Sequence, residues 1–271
     1  MRVFVRPKMD IPNPLNGIGG AYSPLLTKDT LMSHHLWHGN WRGKIPDGDV
    51  HQRARTIVRP TGGIVRGKFP SRKNGRMVHH EGLLELDAIY LFEASPLIAR
   101  FREQPITIQY PDGTRLRRYT PDFELVLATG EIVLVEIKPA RRLASTDIRG
   151  TFDCIEKHMQ RSSVQFQIFT DLVLRQEPRL TNLKWIYHRA ARVPPTNAAI
   201  ETALSRYVDK FPTSITTASG LVAAAGIDPY SALLAGQLLC NLDFAVDSNT
   251  TVTLPTKAHH DWFRISEEHG F

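Results

Sequence analysis

The sequence predicts an α/β protein in which helices accompany a mixed β-sheet, with a basic arm before this core and a small helical domain after it. A helical apolar pattern near residue 85 is followed by short apolar runs separated by Asp-Gly and Thr-Gly, which is typical of a helix followed by strands. Two prolines in "RVPPTN" interrupt the apolar periodicity near residue 195. We therefore divide the chain into an irregular arm (1–60), a core domain (61–195) and a C-terminal domain (196–271).

The net charge of +7 is unevenly distributed along the 271 residues. Residues 1–80 hold 14 Lys and Arg against 4 Asp and Glu, whereas residues 196–271 hold 4 against 8. Because a basic segment attracts a phosphate backbone, we expect a polyanion to contact the front of the protein.

The composition also limits where the protein acts. No run of about 18 apolar residues and no hydrophobic signal segment is present, so we expect a cytoplasmic protein with no membrane partner. Cys154 and Cys240 both lie in apolar patterns, which predicts two buried thiols rather than a disulfide or a metal site.

The core domain is predicted to begin with a helix over "HHEGLLELDAIYLFEASP" that ends before Pro96. "IARFREQPITIQYPDG", "TRLRRYTPDFELVLATG" and "EIVLVEIK" predict a meander of three strands. "STDIRGTFDCIEKHMQRSS" predicts a second helix, because its apolar residues recur at helical spacing. "VQFQIFT" and "LKWIYH" predict two more strands, with Trp185 and Tyr187 in the core.

The C-terminal domain is predicted to contain three helices and a hairpin. "TNAAIETALSRYVDKF", "TTASGLVAAAGID" and "PYSALLAGQLLCNL" predict the helices, and "DFAVDSNTTVTLPT" predicts two short strands around Ser248 and Asn249. This order is the pattern of a winged helix. Because the third helix has no Lys or Arg and the segment is acidic, we expect protein docking rather than DNA reading.

Three charged residues stand in otherwise apolar strands of the core domain. Asp122 follows Pro121, and Glu136 and Lys138 share one face of the next strand, because side chains alternate along a strand. Paired carboxylates repel each other unless a divalent cation or solvent separates them, and ligand sets made only of oxygen suit Mg²⁺ or Mn²⁺. The pattern therefore predicts metal-assisted hydrolysis of a phosphodiester, with Lys138 orienting or deprotonating a water or stabilising phosphate charge.

The alternative is structural: Asp122 caps a turn, and Glu136 and Lys138 form an ordinary ion pair. The apolar run "IVLVEI" around Glu136 argues against it, because an unpaired buried carboxylate is costly. Glu85 is a further acid in an apolar helix.

"HHEGLLELDAIYLFEASPLIARFREQPITI", followed by "TPDFELVL" and "VEIKPA", resembles the TnsA family, the endonuclease subunit of heteromeric, Tn7-like cut-and-paste transposases. The resemblance covers roughly residues 61–190 and extends to the basic lead-in "SRKNGRMVHHEG". It implies a restriction-endonuclease-like core with the PD-(D/E)xK fold, and the acidic winged-helix-like part agrees with the second domain of the family.

The resemblance also implies site residues. The helix glutamate of the family corresponds to Glu85, its strand aspartate to Asp122, and its ExK pair to Glu136 and Lys138. We expect Asp122, Glu136 and the backbone carbonyl of Ile137 to hold Mg²⁺, with Mn²⁺ as a substitute, and Glu85 to hold a second ion or a water. Lys138 would then position the nucleophilic water. Glu81 lies one helical turn before Glu85, so the helix acid remains open between the two.

The basic residues around these motifs are the expected DNA contacts. Arg72, Lys73 and Arg76 belong to the lead-in, and Arg141 and Arg142 follow the motif directly, where they could hold the phosphates of the scissile strand. Solvation at the rim is the alternative for the last two. Gln104 could touch DNA or a metal-bound water, and bracing of the strand entry is the other interpretation.

The implied function is a Mg²⁺-dependent endonuclease that acts on double-stranded DNA at transposon ends. By resemblance it would cut the 5′ ends, with a TnsB-like DDE transposase cutting the other strand, and it would dock on a TnsC-like AAA+ ATPase. A stand-alone PD-(D/E)xK nuclease in restriction, repair or junction resolution is one alternative. A non-catalytic DNA-end adaptor is another.

Overall fold

The computed structural model describes residues 51, 53–54, 65–256, 262–266 and 270–271. The predicted arm over residues 1–60 lies outside these residues except at three positions. In the described part of the chain, no helix is long and apolar enough to cross a membrane. The two cysteines are free thiols: Cys240 is buried as predicted, whereas Cys154 is half-buried.

Ten strands form in the described residues, and four of them build the central sheet. The sheet has the order β3-β6-β7-β8, in which the first three strands are antiparallel neighbours and β8 is parallel to β7. The strands are β1 (Gly67–Ser71), β2 (Arg76–His80), β3 (Ile98–Glu103), β4 (Ile108–Asp112), β5 (Arg115–Tyr119), β6 (Phe123–Leu127), β7 (Ile132–Ile137), β8 (Gln165–Phe169), β9 (Thr213–Ser214) and β10 (Thr251–Val252).

The described α-helices connect and cover these strands. They are α1 (Leu83–Ala94), α2 (Ala140–Leu143), α3 (Thr146–Arg161), α4 (Asp171–Leu174), α5 (Arg179–Arg189), α6 (Asn197–Ser205), α7 (Ile215–Val222) and α8 (Pro229–Leu234). Short 3-10 turns follow α6 and α7, at Val208–Lys210 and Ala223–Ala225.

Helix α1 packs against one face of the sheet, and this packing fixes the position of the first turn of the helix. Ser95 after the helix is extended, as expected for the residue before Pro96. Phe92 is fully buried and contacts Phe101 on β3 and Phe123 on β6 through ring pairs at 5.6 and 5.4 Å. The helix predicted within "HHEGLLELDAIYLFEASP" is confirmed, with observed bounds Leu83–Ala94, and it lies over the strands that carry the predicted site.

The predicted three-strand meander is wrong in one respect. The chain leaves the sheet after β3, forms the separate two-stranded ribbon β4–β5, and returns to pair β6 with β3. Pro105 follows β3 and Pro121 precedes β6, so neither flanking position can donate a ladder hydrogen bond there. The ribbon turns at Asp112-Gly113, with φ +61° at Gly113, as expected for an Asp-Gly turn.

The other face of the sheet is covered by the crossover between β7 and β8. Phe152, Ile155 and Met159 are buried on α3, with Leu134 and Tyr110 in the same apolar cluster. This confirms the predicted helix and the predicted strand at residues 165–169. Because α3 contacts both the sheet and β4, it also supports the inner side of the ribbon.

The predicted strand "LKWIYH" is a helix. Leu180, Leu183, Ile186 and Tyr187 are buried on α5, and their spacing of three and four residues is the helical period. The aromatic and branched residues at 185–187 favour a strand locally. Over the longer segment, however, the apolar residues recur at helical spacing. Trp185 and Tyr187 are therefore helical residues rather than strand residues.

The C-terminal residues confirm the three predicted helices and correct the hairpin. Helix α7 and its 3-10 extension end at Gly226, with φ +69°, and α8 begins with Pro229 at its first turn. The described strand β10 pairs with β9, and Leu239 bridges Thr253. Residues 243–250 are therefore a loop rather than a strand.

The C-terminal residues share a hydrophobic core with the core domain. The side chain of Asn182 on α5 donates to the carbonyls of Leu242 and Phe244 and accepts from the N–H of Val246. The ring of Phe271 lies 6.0 Å from that of Phe169 on β8. The boundary at residue 195 stays a prediction, and apolar contacts cross it.

Candidate active site

The β6–β7 register places the two predicted carboxylates opposite each other. Phe123 is opposite Val135 in this antiparallel pair, so Asp122, directly before β6, lies opposite Glu136. The Oδ2 atom of Asp122 accepts the N–H of Ile137 at 2.8 Å. The strand pairing therefore fixes the acids side by side, as the sequence spacing predicts.

Glu136 is held from two sides. The hydroxyl of Tyr119 donates to its Oε2 atom at 2.7 Å, and Nζ of Lys138 lies 2.7 Å from its Oε1 atom. Glu136 is 4% exposed, so these two partners compensate its burial. Lys138 lies on the same face as Glu136, as the period of two predicts.

Glu85 in the first turn of α1 acts on the same site. Burial, the charge of Glu136 and the charge of Glu85 raise the pKa of Asp122 well above its usual range. The neighbouring Glu81 is placed differently: its Oε1 atom lies 3.6 Å from Nε of Arg66, and its N–H donates to Oε2 of Glu85. The geometry therefore favours Glu85 as the helix acid.

Lys138 is held in its charged form. Burial lowers the pKa of Lys138, but the charge and hydrogen bond of Glu136 outweigh this and raise the pKa above its usual value. The charge of Asp122 acts in the same direction, while that of Arg142 opposes it. A lysine that stays protonated donates hydrogen bonds and positive charge and does not act as a base.

The sequence reasoning missed Tyr119. Its hydroxyl positions Glu136, and burial together with the Glu136 charge raises the pKa of the phenol, so the hydroxyl remains a donor. Its ring packs at 6.3 Å from Phe152 and 6.0 Å from Phe166. The available signal was its place three residues before Asp122, in "RYTPD".

Gln104 braces the site through its backbone. Its N–H donates to the carbonyl of Asp122 at 2.8 Å, and its carbonyl accepts the N–H of Ala54. The residue is buried, with φ +44°, an uncommon value for a residue other than glycine. The predicted bracing was by the side chain, whereas these contacts come from the backbone, so the role of the side chain stays a prediction.

The donor atoms at the site suit a hard cation. In the residues described, no group of three or more His, Cys, Asp or Glu side chains is placed to hold a metal ion. Two carboxylates with a backbone carbonyl and waters are nevertheless a set that Mg²⁺ accepts, because this ion keeps several waters and binds one or two carboxylates. The mutual repulsion that raises the pKa of Asp122 is the electrostatic condition that such a cation relieves.

Three of the five predicted DNA contacts are engaged inside the fold. Arg72 donates to the carbonyls of Tyr187 and Ala190, both at 2.9 Å, and lies over the Tyr187 ring. Lys73 donates to the carbonyl of Ile98 at 2.5 Å and to that of Ser95. These contacts engage Nη2 of Arg72 and Nζ of Lys73 inside the fold, so they do not favour a DNA contact, and that role stays a prediction.

Arg76 is the third of these residues. Its guanidinium binds both carboxylate oxygens of Glu103, at 3.1 and 2.7 Å, and the side chain is buried. We call Arg72, Lys73 and Arg76 the inner cations.

Arg141 and Arg142 face solvent beside the acids. Both are exposed on α2, whose first N–H, that of Ala140, donates to Asp171 at 2.7 Å. The charge of Arg142 reaches Lys138, whose pKa it lowers. Their predicted role as DNA contacts stays a prediction, and their position agrees with it.

Opposed carboxylates and a lysine at the ends of adjacent strands, below a helix with a third acid, define a nuclease-type site. Residues 95–171 match the family model of the TnsA-like endonuclease N-terminal domain, and this range contains Asp122, Glu136 and Lys138. The matched segment is similar to the TnsA-like endonucleases, and this match supports the resemblance seen in the sequence. No curated protein matches the chain.

Proposed function

We propose that the chain is a metal-dependent DNA endonuclease subunit that hydrolyses one strand at transposon ends, at the 5′ ends of the element, in the bacterial cytosol. The observation that supports this is the placement of Asp122 opposite Glu136, with Lys138 on Glu136 and the Glu85 charge acting on Asp122. Placing acids next to each other raises the pKa of a carboxyl group and costs stability. Such arrangements concentrate at functional sites.

Asp122, Glu136 and the carbonyl of Ile137 are the proposed ligands of Mg²⁺, with Mn²⁺ as a substitute. When bound, the ion supplies Lewis acidity and a nucleophilic water of lowered pKa. Glu85 holds a second ion or a water at the same site. Tyr119 keeps the Glu136 carboxylate oriented through its 2.7 Å hydrogen bond.

Lys138 positions the attacking water and stabilises the charge that develops on the phosphate. This role is supported by the position of the ammonium, whose Nζ atom lies 2.7 Å from Oε1 of Glu136. The exposed Arg141 and Arg142 hold the phosphates of the scissile strand.

The proposed partners are a TnsB-like DDE transposase, which cuts the other strand, and a TnsC-like AAA+ ATPase, which docks on the acidic C-terminal residues. These residues run helix, short strand, helix, helix and strand, which supports a winged-helix-like architecture. Phe244 is 71% exposed in the loop before β10 and offers an apolar contact for a protein partner. Because the core crosses residue 195, the docking test is Phe244→Asp in the full chain, which should lose ATPase binding and keep folding.

The test of the nuclease is cleavage of an end-labelled duplex that carries the transposon end, with Mg²⁺ and the DDE partner present. Asp122→Ala should lower the cleavage rate about 10³-fold or more, since it removes one of two carboxylates. The matched control is Glu131→Ala, because Glu131 is an exposed acid in the β6–β7 turn. This variant should cleave at the wild-type rate.

The outcomes separate the candidate functions. Efficient cutting of unrelated DNA by the chain alone would indicate a stand-alone nuclease. Transposon excision that survives Asp122→Ala in cells would indicate an adaptor without catalysis.

A second pair of variants tests the helix acid. Glu85→Gln should reduce cleavage, whereas Glu81→Gln should retain it, because the Glu81 carboxylate lies near Arg66. The reverse result would assign the role to Glu81.

A further inference from the structure

The β4–β5 ribbon extends directly from the candidate active site. Tyr119, its last residue, donates to Glu136, and Asp122 follows three residues later. The hydroxyls of Thr107 and Thr120 are hydrogen-bonded at 2.7 Å and close the base of the ribbon. At about 3.3 Å per residue, the turn of the ribbon lies about 13–17 Å from Tyr119. A DNA duplex bound at the acids therefore lies within reach of the whole ribbon.

The two faces of the ribbon differ in character. Ile108, Tyr110 and Tyr119 face inward, where they pack with the α3 residues of the Leu134 cluster. The residues between them face outward and are exposed: Gln109, Pro111, Leu116 and Arg118. Packing thus fixes the inner face and leaves the outer face uncovered in the described protein.

The charge of the ribbon is positive and largely unpaired. Its one acid, Asp112, lies 2.5 Å from Arg117. Among the described residues, the side chains of Arg115 and Arg118 have no hydrogen bond or ion pair, and both are exposed. Two free guanidinium groups next to a phosphodiester-cleaving site are complementary to a phosphate backbone.

Leu116 is 71% exposed and shares the outer face with Arg118, whereas Arg115 pairs with Asp112 on the other face, at the tip of the ribbon. An apolar side chain at a basic tip agrees with contact to a groove, since the major groove admits a two-stranded ribbon and apolar residues contact bases there. A purely solvating arm would not require it.

We propose that the β4–β5 ribbon is a DNA-binding element that lies in a groove of the duplex beside the scissile phosphate. Arg115 and Arg118 bind backbone phosphates, and Leu116 contacts the groove. The inference rests on the proposed nuclease function for the position of the scissile phosphate, whereas the binding itself is measured without cleavage.

The first test measures affinity for a duplex in EDTA at several salt concentrations. Arg115→Ala/Arg118→Ala should reduce the slope of log K against log salt by about 2, because two phosphate contacts are lost. Arg115→Lys/Arg118→Lys should keep the wild-type slope. Arg192→Ala/Arg206→Ala is the matched control, because it removes the same charge from two exposed positions outside the ribbon. Arg192 lies just before the C-terminal part and Arg206 lies within it.

The second test places a photo-crosslinking phenylalanine analogue at position 116 or 244. Leu116 and Phe244 are both 71% exposed, so the two proteins match in exposure and differ in location, since Phe244 lies in the C-terminal part. We expect DNA crosslinks from position 116 only.

An unchanged salt slope together with no crosslink from position 116 would overturn the ribbon proposal. Failure of the proposed function would give a different result. The wild-type protein would then show no Mg²⁺-dependent cleavage, while the ribbon variants would still bind DNA more weakly than the wild type.

Discussion

Two groups of basic residues in the core domain have opposite environments. The inner cations, Arg72, Lys73 and Arg76, bind carbonyls or a buried carboxylate inside the fold. The outer cations, by contrast, are exposed near the acids: Arg115, Arg118, Arg141 and Arg142. In the sequence alone, both groups are short basic segments that cannot be told apart. The difference teaches that a basic sequence segment predicts a solvent-facing cation only where no buried acceptor lies within reach.

The buried acceptors of the β1–β2 turn come from distant parts of the chain. Glu93 on α1 accepts the N–H groups of Arg72 and Lys73, at 2.6 and 3.0 Å, and the Ser71 hydroxyl at 2.7 Å. Arg72 reaches carbonyls on α5 and just after it. The basic lead-in therefore ties α1 and α5 together and contributes to stability.

Arg76→Ala tests the inner group and carries the largest expected change in stability. Burial raises the pKa of Glu103, but the hydrogen bond and charge of Arg76 outweigh this and hold the pKa below its usual value. Removal of Arg76 leaves a carboxylate that is 1% exposed with weaker partners, Arg53 and His51. We expect a loss of about 3–5 kcal/mol in the free energy of unfolding, measured with urea.

The control for this variant is Arg192→Ala, an exposed position where the change should stay within about 0.5 kcal/mol. A stable Arg76→Ala protein with a reduced salt slope for DNA would place Arg76 on the DNA surface and break the comparison.

Lys73 gives the inner group a pH signature of intermediate size. Burial lowers its pKa to about 8, with partial compensation by Glu93. Because the unfolded pKa is near 10.5, the unfolded chain binds more protons between these values, and stability should rise with pH in that window. Relative to Lys73→Met, we expect the wild type to gain up to about 1.4 kcal/mol per pH unit between pH 8 and 10.

The measurement is urea unfolding of both proteins at pH 7, 8, 9 and 10. Parallel stability curves would mean that Lys73 has an ordinary pKa, as a lysine facing DNA would have.

The sequence predicts the geometry of the candidate site better than the surroundings of that site. A strand period of two and the apolar setting of Glu136 suffice to place Asp122, Glu136 and Lys138 together, because these relations are local. Glu85 follows from an acid in an apolar helix, with the family resemblance as support.

The features that the sequence did not predict depend on distant contacts. The ribbon interrupts a chain that reads as a simple meander, so neither its two faces nor the Tyr119 contact to Glu136 was visible. The partners of Arg72 lie 115 and 118 residues away in the chain. The helical α5 shows the same limit, since a six-residue window favoured a strand over the longer helical period.

Arg141→Ala/Arg142→Ala tests the outer group and carries the smallest expected change in stability. Both side chains are exposed, and the start of α2 is held by Asp171 through the backbone, so unfolding should change by no more than about 0.5 kcal/mol. The same variant should reduce the salt slope for duplex binding by about 2 and raise KM more than it lowers kcat, because uniform phosphate binding is lost. Urea unfolding, salt titration and steady-state cleavage check these three expectations. Strong destabilisation with an unchanged salt slope would move these arginines into the inner group, and the distinction between the two groups would fail.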